Sequence, residues 1–193
     1  MFIHVNHQRL FFDVVGEKLG IDGPRLVDKP TLIVLHGGPG LDHSRMRPEF
    51  DALADIAQVI LIDHRGNGRS MPSDPASWTL DQWGDDVRGL CDALGIVKPI
   101  VLGHSFGGMV AQSYLTRHPE HAAGVILSST AARLDFVEIF DFFDRKGGSE
   151  ARETARRFWT RMADADLEDY ARVCIPLYNA RAPVDPDQSA RAI

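Results

Sequence analysis

The sequence has few cysteines, no long apolar run and no cluster of basic residues, and each absence excludes a class of protein. Its two cysteines, Cys91 and Cys174, have neither zinc-type spacing nor a disulfide pattern, so two reduced thiols and no metal site are expected. No apolar run approaches the roughly 18 residues of a membrane span, and the first residues lack the regions of a signal peptide. The net charge of −6 argues against nucleic acid or an anionic membrane surface as a partner. A cytoplasmic protein is therefore predicted.

What the sequence does contain is the composition and patterning of one globular domain. Hydrophobic residues make up 44% of its 193 positions and charged residues 25%, as in ordinary soluble domains. Continuous apolar, β-branched runs predict buried strands, and segments with helical spacing of apolar residues separate them. The predicted strands cover residues 31–35, 59–62, 99–103 and 124–128. This alternation predicts a parallel sheet with helices on both faces.

The flanking segments add further elements to this prediction. Residues 2–5 and 9–15 predict a hairpin at a sheet edge, residues 16–30 a loop, and residues 48–56 a helix. Thr79 and Gln82 have the spacing of a capping box that begins another helix, which Gly95 ends. After Ser128 the alternation stops, and apolar stripes at helical spacing predict three helices and no further strand. Gly147-Gly148 is expected to break the first helix from the second, whose apolar stripe ends at Met162.

The most informative stretch is the turn around Gly103-His104-Ser105-Phe106-Gly107. A strand precedes it and a helix-forming run follows at once, which is the context of a nucleophile elbow. Such a turn holds the serine in a strained conformation and exposes its hydroxyl at the end of the strand, while Gly103 and Gly107 let strand and helix pass closely. The Phe106 N–H, at the start of the helix, is then placed to stabilise an oxyanion.

Three motifs stand in order along the chain, each directly after a predicted strand. They are His36-Gly37-Gly38-Pro39-Gly40, Asp63-x-Arg65-Gly66-x-Gly68-Arg69-Ser70 and Gly103-His104-Ser105-Phe106-Gly107-Gly108. Together they resemble the motifs of the α/β-hydrolase superfamily, and within it most closely those of the proline iminopeptidase group. The resemblance covers roughly residues 2–130.

The resemblance implies an α/β-hydrolase core at residues 1–133 and a partial helical cap at 134–193, beginning after the sixth strand. It implies that Ser105 is the nucleophile, that the Gly38 and Phe106 N–H groups form the oxyanion hole, and that no cofactor is used. The substrate would be a small ester, an amide or a short peptide. His64 stands where these peptidases usually have Gln, and Phe106 where they usually have Trp. A carboxylesterase or lactonase therefore remains an alternative to a proline iminopeptidase.

The sequence does not supply the base and the acid that this chemistry needs. In this fold they follow the nucleophile, and only two of the eight histidines do so. His118 and His121 come at the far end of the helix that starts at Ser105, nearly 20 Å away at ~1.5 Å per residue. His36 and His64 remain as substitute bases, and Asp135 is a candidate acid. The expected last strands are missing, so we interpret the chain as C-terminally truncated.

Three further hypotheses concern function. Without a base, this chain would act only as a binding protein of hydrolase shape. The strand at 124–128 would be an exposed sheet edge through which the chain self-associates. In proline iminopeptidases, carboxylates of the cap hold the ammonium group of the substrate. The predicted cap of this chain carries five carboxylates, for which a solvated polar face is the simpler interpretation: Glu138, Asp141, Asp144, Glu150 and Glu153.

The polar residues of two loops have structural interpretations. His43 is expected to be a solvated loop residue, and Asp63 and Arg65 are expected to tie their own loop together.

Overall fold

The computed structural model describes residues 1–161 and 164–178, which form two compact units, 1–132 and 133–178. The first unit contains eight strands and two long helices. The strands are β1 (Phe2–Val5), β2 (Gln8–Val15), β3 (Leu19–Asp22), β4 (Arg25–Asp28), β5 (Thr31–Leu35), β6 (Gln58–Ile62), β7 (Ile100–His104) and β8 (Gly124–Ser128), and the helices are α1 (Leu80–Leu94) and α2 (Phe106–Arg117). The second unit contains α3 (Phe136–Arg161) and α4 (Asp164–Val173).

Six strands form the main sheet, in the order β1-β2-β6-β5-β7-β8. The predicted hairpin, β1 with β2, pairs antiparallel and joins β6, whereas β6, β5, β7 and β8 run parallel. All five residues of β5 are buried, because the strand lies inside the sheet and both of its faces are covered. The fold class predicted from the sequence is confirmed.

Apolar residues fill a core on each face of the sheet. One core packs strand residues such as Ile33 and Ile60 against Val87, Leu90 and Tyr114 of the two helices. The other gathers Leu32, Val34, Leu61 and Leu102 with Met46, which lies in the segment between β5 and β6. Alternate residues of each buried strand therefore point to opposite cores, as the two-residue period of a strand requires.

Two elements differ from the prediction. Residues 16–30 are not a loop: β3 and β4 form a separate two-stranded antiparallel sheet. Only four residues long and exposed along most of their length, these strands lack the apolar periodicity that reveals a buried strand. Residues 48–56 form turns and a 3₁₀ helix at Asp51–Asp55 in place of the predicted helix. This short segment packs Phe50 and Leu53 without continuing into a regular helix.

The second unit is helical, as predicted. Gly148, with φ of 72°, interrupts α3 at the position where a break was expected. Phe143, Ala155, Tyr170 and Cys174 form the buried centre of its own core. Met162, which completes one predicted apolar stripe, lies outside the described residues. None of the described helices is long and apolar enough to cross a membrane.

Candidate active site

Ser105 lies at the turn between β7 and α2 in an unfavourable backbone conformation. Its φ of 52° and ψ of −117° are strained for a residue with a side chain. Hydrogen bonds at the turn hold this conformation: the Ser105 N–H donates to Ser128 O at 2.9 Å, and Ser105 O accepts from the Gly108 N–H at 2.9 Å and from Thr130 Oγ1 at 2.7 Å. The strained elbow predicted from the sequence is therefore present.

Glycines at the turn allow strand and helix to pass closely. A methyl group at Gly103 would overlap the Gly107 carbonyl, and one at Gly107 would overlap the Leu35 carbonyl at the end of β5. At Gly108 it would come within 2.5 Å of Thr130. Backbone atoms are the obstacle at the first two positions, so no side chain can replace these glycines without moving the elbow.

The loop after β5 lies directly against the elbow. A methyl group built on Gly37 would be 3.4 Å from Ser105 Cβ, so this part of the loop borders the serine. Within the loop, Gly38 has a φ of 139°, in the region that favours glycine. Because α2 begins at Phe106, the Phe106 N–H has no acceptor within the helix. The structure thus places the two proposed oxyanion residues on segments that meet at Ser105.

His36 is buried and uses both ring nitrogens to hold this loop. Its Nε2 accepts the His64 backbone N–H at 3.1 Å, so Nδ1 carries the proton and donates to Gly37 O at 2.6 Å. His64 is equally buried, and its Nε2–H donates to His36 O at 3.3 Å. Neither nitrogen of His36, nor Nε2 of His64, is available to deprotonate Ser105.

Burial keeps both imidazoles neutral. It lowers the pKa of His36, and it lowers the pKa of His64 further below the ordinary value, since the neighbouring His36 adds to the effect. A group with a lowered folded-state pKa stabilises the fold above its unfolded pKa of about 6.5, and this contribution is lost as the pH falls below that value.

We predict that the free energy of unfolding decreases as the pH is lowered from 7.5 to 5.5. Each histidine that stays neutral while buried contributes a slope of about 1.4 kcal/mol per pH unit below 6.5. His104 and His121, whose pKa values burial also lowers, act in the same direction. Urea unfolding at several pH values measures the slope, and His64→Phe is expected to flatten it. A pH-independent free energy over this range would contradict the prediction.

The remaining predicted site residues form hydrogen bonds elsewhere. Among the described residues of the first unit, none forms a hydrogen bond with the Ser105 hydroxyl. His118 pairs with Asp85 at 2.9 Å, and His121 bonds Tyr114 at 2.6 Å, both at the far end of α2. Asp135 is the N-terminal cap of α3, where Oδ1 accepts the N–H groups of Val137 and Glu138 at 3.1 and 3.2 Å.

The loop after β6 is held by two buried carboxylates, Asp63 and Asp86. The sequence suggested such a role only for Asp63. Asp63 is fully buried and accepts His43 Nδ1–H at 2.6 Å, together with the backbone N–H groups of His43 and Arg69. Burial by itself raises the Asp63 pKa, but these hydrogen bonds hold it below its ordinary value. The prediction of a solvated His43 is wrong, because its ring is enclosed between Asp63 and Phe11.

Arg65 was predicted to tie its own loop, and its backbone O does accept Asn67 Nδ2–H there at 2.8 Å, but its guanidinium instead joins three segments. Its guanidinium forms two hydrogen bonds with Asp86 of α1, at 2.7 and 2.8 Å, and a third with Asn6 O at 3.1 Å. Asn6 and Gln82 also donate to Asp86. In the sequence, only Gln82, four positions earlier in α1, is placed to bond Asp86. The bonds of Asp86 to Arg65 and Asn6 become visible only in the fold.

Neither cysteine competes with Ser105 as a nucleophile. Both are buried free thiols, and burial raises the pKa of Cys91 to about 12 and that of Cys174 to about 11. A thiol reacts as its thiolate, so these groups are inert near neutral pH.

Four of the five carboxylates named in the cap form ion pairs. Asp141 and Asp144 pair with Arg152, Glu153 pairs with Arg156, and Glu150 lies 4.0 Å from Arg172. Glu138 has no ion-pair partner among the described residues. It borders a cavity of about 220 Å³ that Ile139, Phe142, Phe143 and Tyr178 also line.

Comparison with known proteins gives consistent results. A family model described as the alpha/beta hydrolase fold matches residues 30–189. The proline iminopeptidase PfmaB of Pestalotiopsis fici is 33% identical over 133 residues, which cover 67% of this chain and 43% of that protein. The chain thus spans less than half the length of this relative.

Solved structures resemble the chain over nearly all of its length. The proline iminopeptidase of Mycobacterium smegmatis matches with a TM-score of 0.70 and 25% identity, over 98% of this chain and 64% of that one. The enol-lactonase of Burkholderia xenovorans LB400 matches with a TM-score of 0.63 and 26% identity, over 99% and 71%.

Proposed function

This chain belongs to the α/β-hydrolase family, and from that membership we propose that it is, or is part of, a serine hydrolase acting by acyl transfer. Ser105 attacks the carbonyl carbon of an ester or amide, the leaving group departs, and water releases the acyl group. The observation that carries the proposal is the strained conformation of Ser105 at the start of α2. A residue is held in such a conformation only where the surrounding structure over-determines it, as at a reactive centre.

The oxyanion hole is assigned to the Gly38 and Phe106 N–H groups. The contact between Gly37 and Ser105 brings the first loop to the serine, and the helix start supplies the second donor. Donors fixed in advance stabilise the negative charge that develops in the transition state, and removing one typically lowers the rate by ~10²–10³. No step requires a cofactor or metal.

The substrate that we favour is a short peptide with a free N-terminal proline. The proline iminopeptidases among the relatives support this choice. A small ester or lactone is the alternative, and the likeness to an enol-lactonase favours it.

Two substrates distinguish these specificities. A proline arylamide and a short-chain nitrophenyl ester should be assayed with the chain and, if a longer natural form occurs, with that form. Hydrolysis of the arylamide that Ser105→Ala abolishes would support the peptidase. Hydrolysis of the ester without hydrolysis of the arylamide would support the esterase or lactonase.

A second candidate function is binding without catalysis. It is favoured by the absence, among the described residues, of any hydrogen-bond partner for the Ser105 hydroxyl. A fluorophosphonate probe separates the two functions, because it reacts only with an activated serine. Labelling that Ser105→Ala abolishes supports the hydrolase, whereas no labelling of any natural form supports the binding protein.

The exposed edge of the sheet bears on self-association. Among the described strands β8 pairs only with β7, and Ile126 and Leu127 are about half exposed. Unpaired edges of this kind form hydrogen bonds with another chain. We propose that the chain self-associates through β8. We expect Ile126→Lys to shift sedimentation towards the monomer, whereas Val97→Lys, at another exposed site, should not.

A cytoplasmic location is a further proposal, and the two free thiols support it.

A further inference from the structure

We propose that His64 is a positioning residue that supports both donors of the oxyanion hole at once. The inference rests on the proposed function for the identity of the donors. It concerns a position where this sequence has a histidine and where the peptidases that it resembles usually have glutamine. The side chain of His64 lies between the loop that carries Gly38 and the ring of Phe106.

The first connection runs through His36 to Gly38. His36 Nδ1–H donates to Gly37 O at 2.6 Å and so fixes the orientation of the peptide between Gly37 and Gly38. In a trans peptide the C=O and N–H groups point in opposite directions, so holding the Gly37 carbonyl also aims the Gly38 N–H. His64 holds His36 in turn, with its backbone N–H on Nε2 and its own ring on the His36 carbonyl.

The second connection runs to Phe106. The ring of His64 meets the ring of Phe106 edge to face, with centroids 5.6 Å apart. On another side Trp83 contacts the same ring edge to face at 4.9 Å, and its indole N–H is fixed by Arg65 O at 3.0 Å. The two contacts confine the Phe106 ring, and with it the first turn of α2 from which the second donor points.

The surroundings of His64 favour its neutral form. With Nε2 protonated for the bond to His36 O, the ring faces a second buried imidazole at 4.4 Å, which disfavours a charge on either. The charged groups that act on the pair are Asp63, on both rings, and Asp42 on His36; His43 also acts on His36. At neutral pH both rings are therefore uncharged, and each bonds as a defined tautomer.

Amide and imidazole NMR of ¹⁵N-labelled protein tests the inference without needing catalytic turnover. In the wild type we expect His36 as the Nδ1–H tautomer and His64 as the Nε2–H tautomer. In His64→Gln, which keeps the backbone N–H but loses the ring, the Gly38 and Phe106 amide resonances should both shift, while His36 keeps its tautomer. His118→Gln removes an imidazole at the far end of α2 and should move neither resonance.

The outcomes are separate from those of the proposed function. If the Gly38 and Phe106 resonances move no further in folded His64→Gln than in His118→Gln, or if only one moves, the inference is overturned. His64→Phe is the second variant: it retains a ring against Phe106 but not the donor to His36 O, so only the Gly38 resonance should shift. Failure of fluorophosphonate labelling would remove the catalytic meaning of the donors and leave this measurement unchanged.

Discussion

Residues 1–193 expressed alone are expected to hydrolyse a nitrophenyl ester only at a residual rate. The elbow is formed, but His36 and His64 are engaged in the neighbouring loops and His118 and His121 lie at the far end of α2. No histidine forms a hydrogen bond with the Ser105 hydroxyl. Without a base the hydroxyl is a poor nucleophile. Hydrolases without triad members keep ~10³–10⁴-fold over water from the oxyanion hole and binding alone, and we expect no more here.

The assay compares residues 1–193, whose mass is first confirmed, with the Ser105→Ala variant of the same chain. Both should hydrolyse the ester at rates within about tenfold of each other, because the serine without a base contributes little to the residual rate. Robust turnover that Ser105→Ala abolishes would show that a base acts within these residues. His64 and His36, the substitute bases that the sequence offers, would then be the first residues to replace.

Asp86→Ala is expected to give the largest loss of stability of any single substitution considered for the first unit. Asp86 is 2% exposed and accepts four hydrogen bonds, two of them from the buried Arg65. Its removal leaves the Arg65 guanidinium buried without a counter-charge, which typically costs about 3–5 kcal/mol. For a chain of this size that corresponds to a fall in Tm of roughly 6–20 °C.

Thermal and urea unfolding followed by circular dichroism measure this effect. Asp92→Ala is the matched control: it removes another aspartate of α1 that pairs with an arginine, but Asp92 is exposed and pairs with Arg88 four residues away. Exposed pairs of this spacing contribute about 0.3–0.5 kcal/mol. If the two variants lose similar stability, the bond between Arg65 and Asp86 does not join the loop, the hairpin and the helix as described.

The positions of the buried strands along the chain and the position of the elbow follow from local sequence. Continuous apolar runs such as 31–35 predict strands buried on both faces, and the structure has them there. The capping signal at Thr79 and the stop at Gly95 also act locally: Thr79 Oγ1 accepts the Gln82 N–H, and Gly95 takes a left-handed conformation. Gln82, however, does not return a bond to Thr79 as in a complete capping box, because Asp86 accepts its side chain. The side-chain amide of Gln82 donates to Asp86 one turn along the same helix, and the Thr79 N–H donates to Ser77 O at 3.0 Å.

The sequence by itself determined the fold class, the place of Ser105 and the segments that form the candidate site. These depend on residues that are neighbours in the chain: an apolar run, the glycines of a turn, the start of a helix. Only the tertiary structure decided which polar side chains are buried together. His43 on Asp63, His36 on His64 and Arg65 on Asp86 join residues 20, 28 and 21 positions apart. A buried polar group needs a hydrogen-bond partner, and the fold decides which residue lies close enough to be that partner. Because these partners are far apart in the chain, no periodic pattern of the sequence predicts them.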